Sequence, residues 1–176
     1  MLDTFKKLIA NQYKAALCTL STCIDKCPES AWDMRIGIYP FSLCAFHTLF
    51  FADYYLGPNE ASFREQPFHR DNADFFGDYE QLEWREPVSV YDRPSIQKYM
   101  VHCRKKASDI VASETADSLS AKADFERRDF SRAELHVYNI RHIQHHAAQL
   151  ILRLRIDAKT DIPWFGSGWR GSDEAT

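Results

Sequence analysis

A chain of 176 residues that is 45% hydrophobic and 14% aromatic can bury one core of its own and is too apolar to be disordered. Its formal charge of −3, with 22 Lys and Arg against 25 Asp and Glu, gives no field to gather nucleic acid or an anionic membrane surface. No stretch reaches the roughly 20 apolar residues of a membrane helix, and the start Met1-Leu2-Asp3-Thr4-Phe5-Lys6-Lys7 is too charged for a secretory leader.

Four segments carry helical periodicity, and an all-α four-helix bundle is the expected fold. The first runs over about residues 2–26, with Phe5, Ile9, Tyr13, Ala16, Leu17, Leu20 and Ile24 on one face, and ends at Pro28. The second covers about 41–56, opening at Pro40-Phe41-Ser42 and stopping at the breaker pair Gly57-Pro58. Asn59 to Arg93 follow without clear periodicity but with many aromatics (Phe63, Phe68, Phe75, Phe76, Tyr79, Trp84, Tyr91). A connection of that length is normally functional or packed in its own right, and it can cross the end of a bundle. The third helix covers about 94–114, with Pro94 in its first turn and a stripe of Ile96, Tyr99, Met100, Cys103, Ala107, Ile110 and Val111. The fourth covers about 131–155: Ser131 and Glu134 form a capping box, and Arg153 and Arg155 suit the negative end of the helix dipole. Residues 156–176 form a tail containing Trp164, Phe165 and Trp169. No convincing strands are visible. The five cysteines (Cys18, Cys23, Cys27, Cys44, Cys103) are odd in number and lack paired Cys-x-x-Cys spacing. They read as free thiols of a cytoplasmic protein.

The histidines carry the chemistry. On a wheel at 100° per residue, Leu43, Phe50, Phe51 and Tyr54 fall within roughly 60° of His47, which places His47 at the centre of the most apolar face. A buried imidazole must find a partner, because an unsatisfied polar group costs about 1–3 kcal/mol. That partner can be a backbone carbonyl, a carboxylate or a metal. On the fourth helix His142 and His146 lie four residues apart, about 40° in azimuth and ~6 Å along the axis, a spacing at which two imidazoles can converge on one cation. His146 sits at the edge of the stripe Ile140, Ile143, Ala147, Leu150, Ile151 and Leu154, whereas His145 lies nearly opposite it. The wheel therefore favours the 142/146 pair over 142/145. If the two apolar faces meet, His47, His142 and His146 share one point. Three neutral imidazoles would bind zinc, nickel or iron(II) and leave coordination positions open.

The segment Phe41-Ser42-Leu43-Cys44-Ala45-Phe46-His47 and the run His142-x-x-His145-His146-x-x-Gln149-Leu150 resemble the DinB-like superfamily, with spacing and layout that fit over about residues 2–156. One departure is Ala148, where that family often has glycine. The resemblance implies an up-down-down-up bundle, a homodimer, and a divalent metal on His47, His142 and His146. Some members of the family are transferases or isomerases that use a low-molecular-weight thiol such as mycothiol or bacillithiol. The function expected is therefore a metal-dependent hydrolase or thiol S-transferase acting on a small molecule, with no general base identified. A non-catalytic metal-binding or stress-response module is the alternative, and a plain helical bundle whose histidines satisfy one another is the third.

Other candidates carry less. His136 reads as a core or cap partner, about 9 Å along the axis from His142 and too far to share its metal. His102 and His69 read as surface residues, and His145 as outward-facing. Cys44, one turn before His47, makes a Cys-x-x-His ligand pair conceivable; Cys23 and Cys27 share a face but have no histidine nearby. Gln149 can bond to a metal ligand or simply mark a polar edge. The aromatic connection and the tail, with Trp84, Trp164 and Trp169, are expected to shape an apolar pocket around the metal.

Overall fold

Four long helices carry the fold in the computed structural model, which describes residues 1–36, 39–76 and 91–170. They are α1 (Leu2–Lys26), α3 (Phe41–Leu56), α6 (Arg93–Ser113) and α8 (Arg132–Asp157), each within two residues of the bounds the periodicity predicts. Short helices fill the intervals, where sequence periodicity was too brief to register: α2 (Glu29–Trp32), α4 (Pro67–Asp71), α5 (Ala73–Phe76) and α7 (Ala116–Ser120). A two-residue antiparallel ladder that the sequence did not suggest, β1 (Arg35–Ile36) with β2 (Tyr39–Pro40), leads into α3.

Local chemistry explains the helix ends. Ser131 Oγ accepts from the Glu134 N–H at 3.2 Å to cap α8, and Asp92 accepts from the Ser95 N–H at 2.8 Å to cap α6. At the C-terminus of α3 the exposed carbonyls have no helical partner. Arg132 supplies one: its guanidinium donates to Tyr55 O at 2.9 Å, Leu56 O at 3.0 Å and Gly57 O at 2.7 Å. Gly57 suits this tight end, since a Cβ there would lie 3.1 Å from Tyr54 O and push on the backbone.

Packing follows the stripes. α1 packs against α6 and α8, and α3 also packs against α6 and α8, so α3 and α8 are neighbours. Ile9, Tyr13, Leu17, Leu20 and Ile24 of α1 meet Ile96, Tyr99, Met100, Cys103 and Val111 of α6 and Ile143, Leu150 and Leu154 of α8 in one core. α3 behaves differently from the wheel reading. It is buried on nearly every side, and the part-exposed positions within it are His47, Phe51 and Tyr54, which recur one helical turn apart. His47 is thus on the rim of this helix rather than at the centre of its buried face. A helix that is apolar all round gives a wheel no contrast to read.

The described part of the aromatic connection is not a loop around the histidines. Phe63, Phe68, Phe75 and Phe76 pack on the α3/α6 side, with Phe46, Phe50 and Tyr99 as ring partners. Tyr91 stacks on Phe46 with ring centroids 4.0 Å apart. Tyr79 and Trp84 lie outside the described residues. No helix among the described residues is long and apolar enough to cross a membrane.

Candidate metal centre

The contact between α3 and α8 brings His47, His142 and His146 together, with one ligand atom from each lying within 4.8 Å of the others. The rings of His142 and His146 follow one another on α8 with centroids 4.6 Å apart, and the His47 ring stands 5.3 Å from the first and 4.6 Å from the second. Phe51, one turn beyond His47, covers them from the side, its ring 4.8 Å from that of His47 and 5.5 Å from that of His142.

Burial sets the protonation of this cluster. Burial first, and the neighbouring His146 second, together bring the His47 imidazole down to about 3 and that of His142 down to about 2. Both rings are neutral at pH 7 and carry the lone pair a metal requires. His47 Nε2 and His142 Nε2 are 3.3 Å apart. Two nitrogens bound at about 2.0–2.1 Å in a tetrahedral site stand about 3.3 Å apart, so this edge already has the length a zinc-like ion requires. The other ring nitrogen of His142, Nδ1, is buried without a hydrogen-bond partner among the described residues.

The third ring is held from behind. Gln149 Oε1 lies 2.8 Å from His146 Nδ1, and an amide oxygen can only accept. His146 therefore carries its proton on Nδ1, which leaves Nε2 as the lone-pair nitrogen of the neutral ring. The Gln149 amide NH2 then donates to His145 Nε2 at 3.2 Å. Of the two roles open to Gln149, the one bonded to a cluster histidine is the one observed. His145 is exposed, as expected. His142 also lines an open depression of about 400 Å³, together with Tyr138, Arg141, Gln144 and His145. The donor set, its neutral charge state and the spacing of its nitrogens fit a divalent transition-metal ion.

Cys44 is not one of the converging groups. Its sulfur sits 4.0 Å from Nδ1 of His146, the nitrogen that Gln149 engages, and burial pushes its thiol up to about 11. Cys23 and Cys27 are buried as well, their thiols pushed up by burial to about 12 and about 11. All five cysteines are free.

The remaining histidines belong to two buried networks. His136 is a core residue: Nδ1 lies 3.1 Å from the Tyr13 hydroxyl and Nε2 lies 2.9 Å from Glu114, which also accepts from Arg132 Nε at 2.9 Å. His69 is not exposed, as expected from sequence, but only 3% accessible, and its Nε2 donates to Asp53 at 2.7 Å. His102 is half-buried rather than a surface residue, stacked on Phe68 with centroids 4.1 Å apart and 3.4 Å from Asp53. Asp53 itself, fully buried on α3, also accepts from the Tyr99 hydroxyl at 2.9 Å and from Lys106 and Gln66. Burial alone would raise the Asp53 carboxyl. Hydrogen bonds from His102 and His69 and the charge of Lys106 outweigh it and hold the group far below the usual carboxylate range. For His69 burial dominates and lowers the imidazole, against the pull of Asp53. The sequence reading passed over Asp53, although a signal was present: it is the single charged residue in the 16 of α3, and a charge in so apolar a helix must be paired.

The tail aromatics also lie away from the histidines, contrary to expectation. Trp164 is 77% exposed, Phe165 is buried in the main core, and Trp169 lies against Arg104 of α6. Comparisons with protein-family models, with curated proteins and with solved structures find no match for this chain.

Proposed function

We propose that this chain is a metal-dependent enzyme of the DinB-like type, with one divalent transition-metal ion held by His47, His142 and His146. The observation that carries the reading is the meeting of three imidazoles from two helices, two of them kept neutral by burial, with His142 also lining an open depression. An ion bound there supplies Lewis acidity toward a water or a low-molecular-weight thiol at neutral pH, the chemistry of a hydrolase or a thiol S-transferase. The chain's own residues do the positioning. Gln149 fixes the tautomer of His146, Phe51 shields the rings from one side, and the α3–α8 contact sets the distance between His47 and His142.

The same reading takes the four long helices as a bundle of up-down-down-up order in a cytoplasmic homodimer. Five free cysteines suit a reducing compartment, and Leu152 and Ile156 leave an apolar strip on the outer face of α8 for a second copy. A second reading, a non-catalytic helical module, rests on the 3.3 Å contact between His47 and His142, a length that one N–H···N hydrogen bond also satisfies.

Elemental analysis of the purified chain separates the two. The enzyme reading expects about one equivalent of zinc, nickel or iron, lost in His47→Ala and retained in His145→Ala. A chain free of metal, whose melting temperature neither chelator nor added metal moves, would leave only the second reading.

A further inference from the structure

On the side of the molecule where α1 packs against α6, away from the α3–α8 histidines, lies a cavity of about 390 Å³. Its floor is apolar, made by Tyr13 and Leu17 of α1 and Ala107 of α6. One wall is the indole of Trp169, with the Arg104 guanidinium 3.2 Å from the ring centre. That wall is built by tertiary contacts rather than left by a loose tail. Gly168 N–H donates to Asn11 O at 3.1 Å, the Cys18 thiol donates to Arg170 O at 2.9 Å, and Gly168 turns the chain with φ +72.

The charge of this cavity is one-sided. Lys14 and Arg104 both border it, and among the described residues neither has a carboxylate within ion-pair distance. Lys105, also at the rim, pairs with Asp109 one turn further along α6. Two cations without a carboxylate partner among the described residues thus line one cavity on a chain whose formal charge is −3, so this is a local arrangement and not a consequence of basic composition. An apolar floor, an aromatic wall and a few convergent charged groups are what a pocket for a small organic ligand requires, and the volume is in the usual range of such sites.

We propose that this cavity binds a small organic carboxylate with an apolar body. The carboxylate is placed between Lys14 and Arg104, where the planar guanidinium can meet it with two parallel N–H donors. The body rests on Tyr13, Leu17 and Ala107 beside Trp169. The site is independent of the histidine cluster and of any metal there.

Titration of the intact chain with 2-naphthoate tests this, with 2-naphthalenemethanol as the uncharged counterpart and calorimetry and tryptophan fluorescence as readouts. The expected result is saturable binding of one naphthoate per chain, at least tenfold tighter than the alcohol and weakening with salt. Arg104→Gln and Lys14→Gln, both exposed positions that should leave the melting temperature unchanged, each weaken it about tenfold. Trp169→Phe removes the fluorescence response, and His142→Ala leaves the affinity unchanged. No binding by the wild type, equal affinity for acid and alcohol, or unchanged affinity in both charge variants would overturn the proposal. Loss of binding in His142→Ala would move the ligand to the histidine cluster and overturn it equally.

Discussion

Replacing Asp53 by alanine removes the acceptor on which His69, Tyr99, Lys106, His102 and Gln66 all converge. The side chain is completely buried, Lys106 is 16% exposed and His69 only 1%. The donors left behind therefore cannot turn to water without opening the packing of Phe63, Phe68 and Phe76 around them. Breaking one partner out of a buried ion pair costs about 3–5 kcal/mol, because the other charge is left uncompensated. At about 2–4 °C per kcal/mol for a chain of this size, Asp53→Ala should lower the melting temperature by about 6–20 °C. The exposed pair Lys105–Asp109 provides the control: Asp109→Ala should cost no more than about 0.5 kcal/mol, since surface pairs are screened and contribute little. Urea unfolding followed by circular dichroism measures both. If Asp53→Ala lies within 1 kcal/mol of the wild type, Asp53 is not what holds the 59–76 segment against α3 and α6.

Glu114 is held down to about 2 from an ordinary 4.5: burial would raise it, but hydrogen bonds from His136, Ser118 and Arg132 prevail. Its folded value is the lower one, so its stabilisation is present above about 4.5 and disappears as pH falls toward 2. Glu114→Gln should flatten the acid limb of a melting-temperature profile, and an unchanged limb would place the acid sensitivity elsewhere. Gln149→Leu removes the acceptor that orients His146. It should weaken metal binding by about 10-fold or more in a chelator competition, whereas Gln149→Glu should keep or strengthen it. Equal affinities across the three proteins would reduce Gln149 to a polar edge residue. The five buried thiols should be inert to Ellman's reagent in the native chain and react fully after unfolding. Rapid native reaction at Cys44 would mean that the α3–α8 contact opens.

Periodicity and end signals belong to the local chain, and whatever depended on them alone was legible in advance. The bounds of α1 follow from a 3.6-residue apolar repeat closed by Pro28, those of α3 from Pro40 at its start and the breaker pair Gly57-Pro58 at its end, and Ser131 marks the start of α8 through a hydrogen bond three residues long. The pairing of His142 with His146 is of the same kind, because one helix turn fixes their separation whatever surrounds them. That His47 joins them was an inference about which faces meet, and the α3–α8 contact decided it, with His47 on the rim of its helix and not at the buried centre.

The partners of Asp53 show where sequence stops. His69, Tyr99, His102 and Lys106 are 16, 46, 49 and 53 residues away from it, and no spacing rule connects them. Composition also misled for the aromatics: Phe68 and Phe76 were expected beside a metal and instead enclose a buried carboxylate, while Trp169 walls a cavity on α1 and α6. Hydrophobic burial is non-directional, so an aromatic side chain announces that it will be covered but not by what. Which apolar surfaces found each other, and which polar atoms had to pair once they did, was decided only when the helices packed.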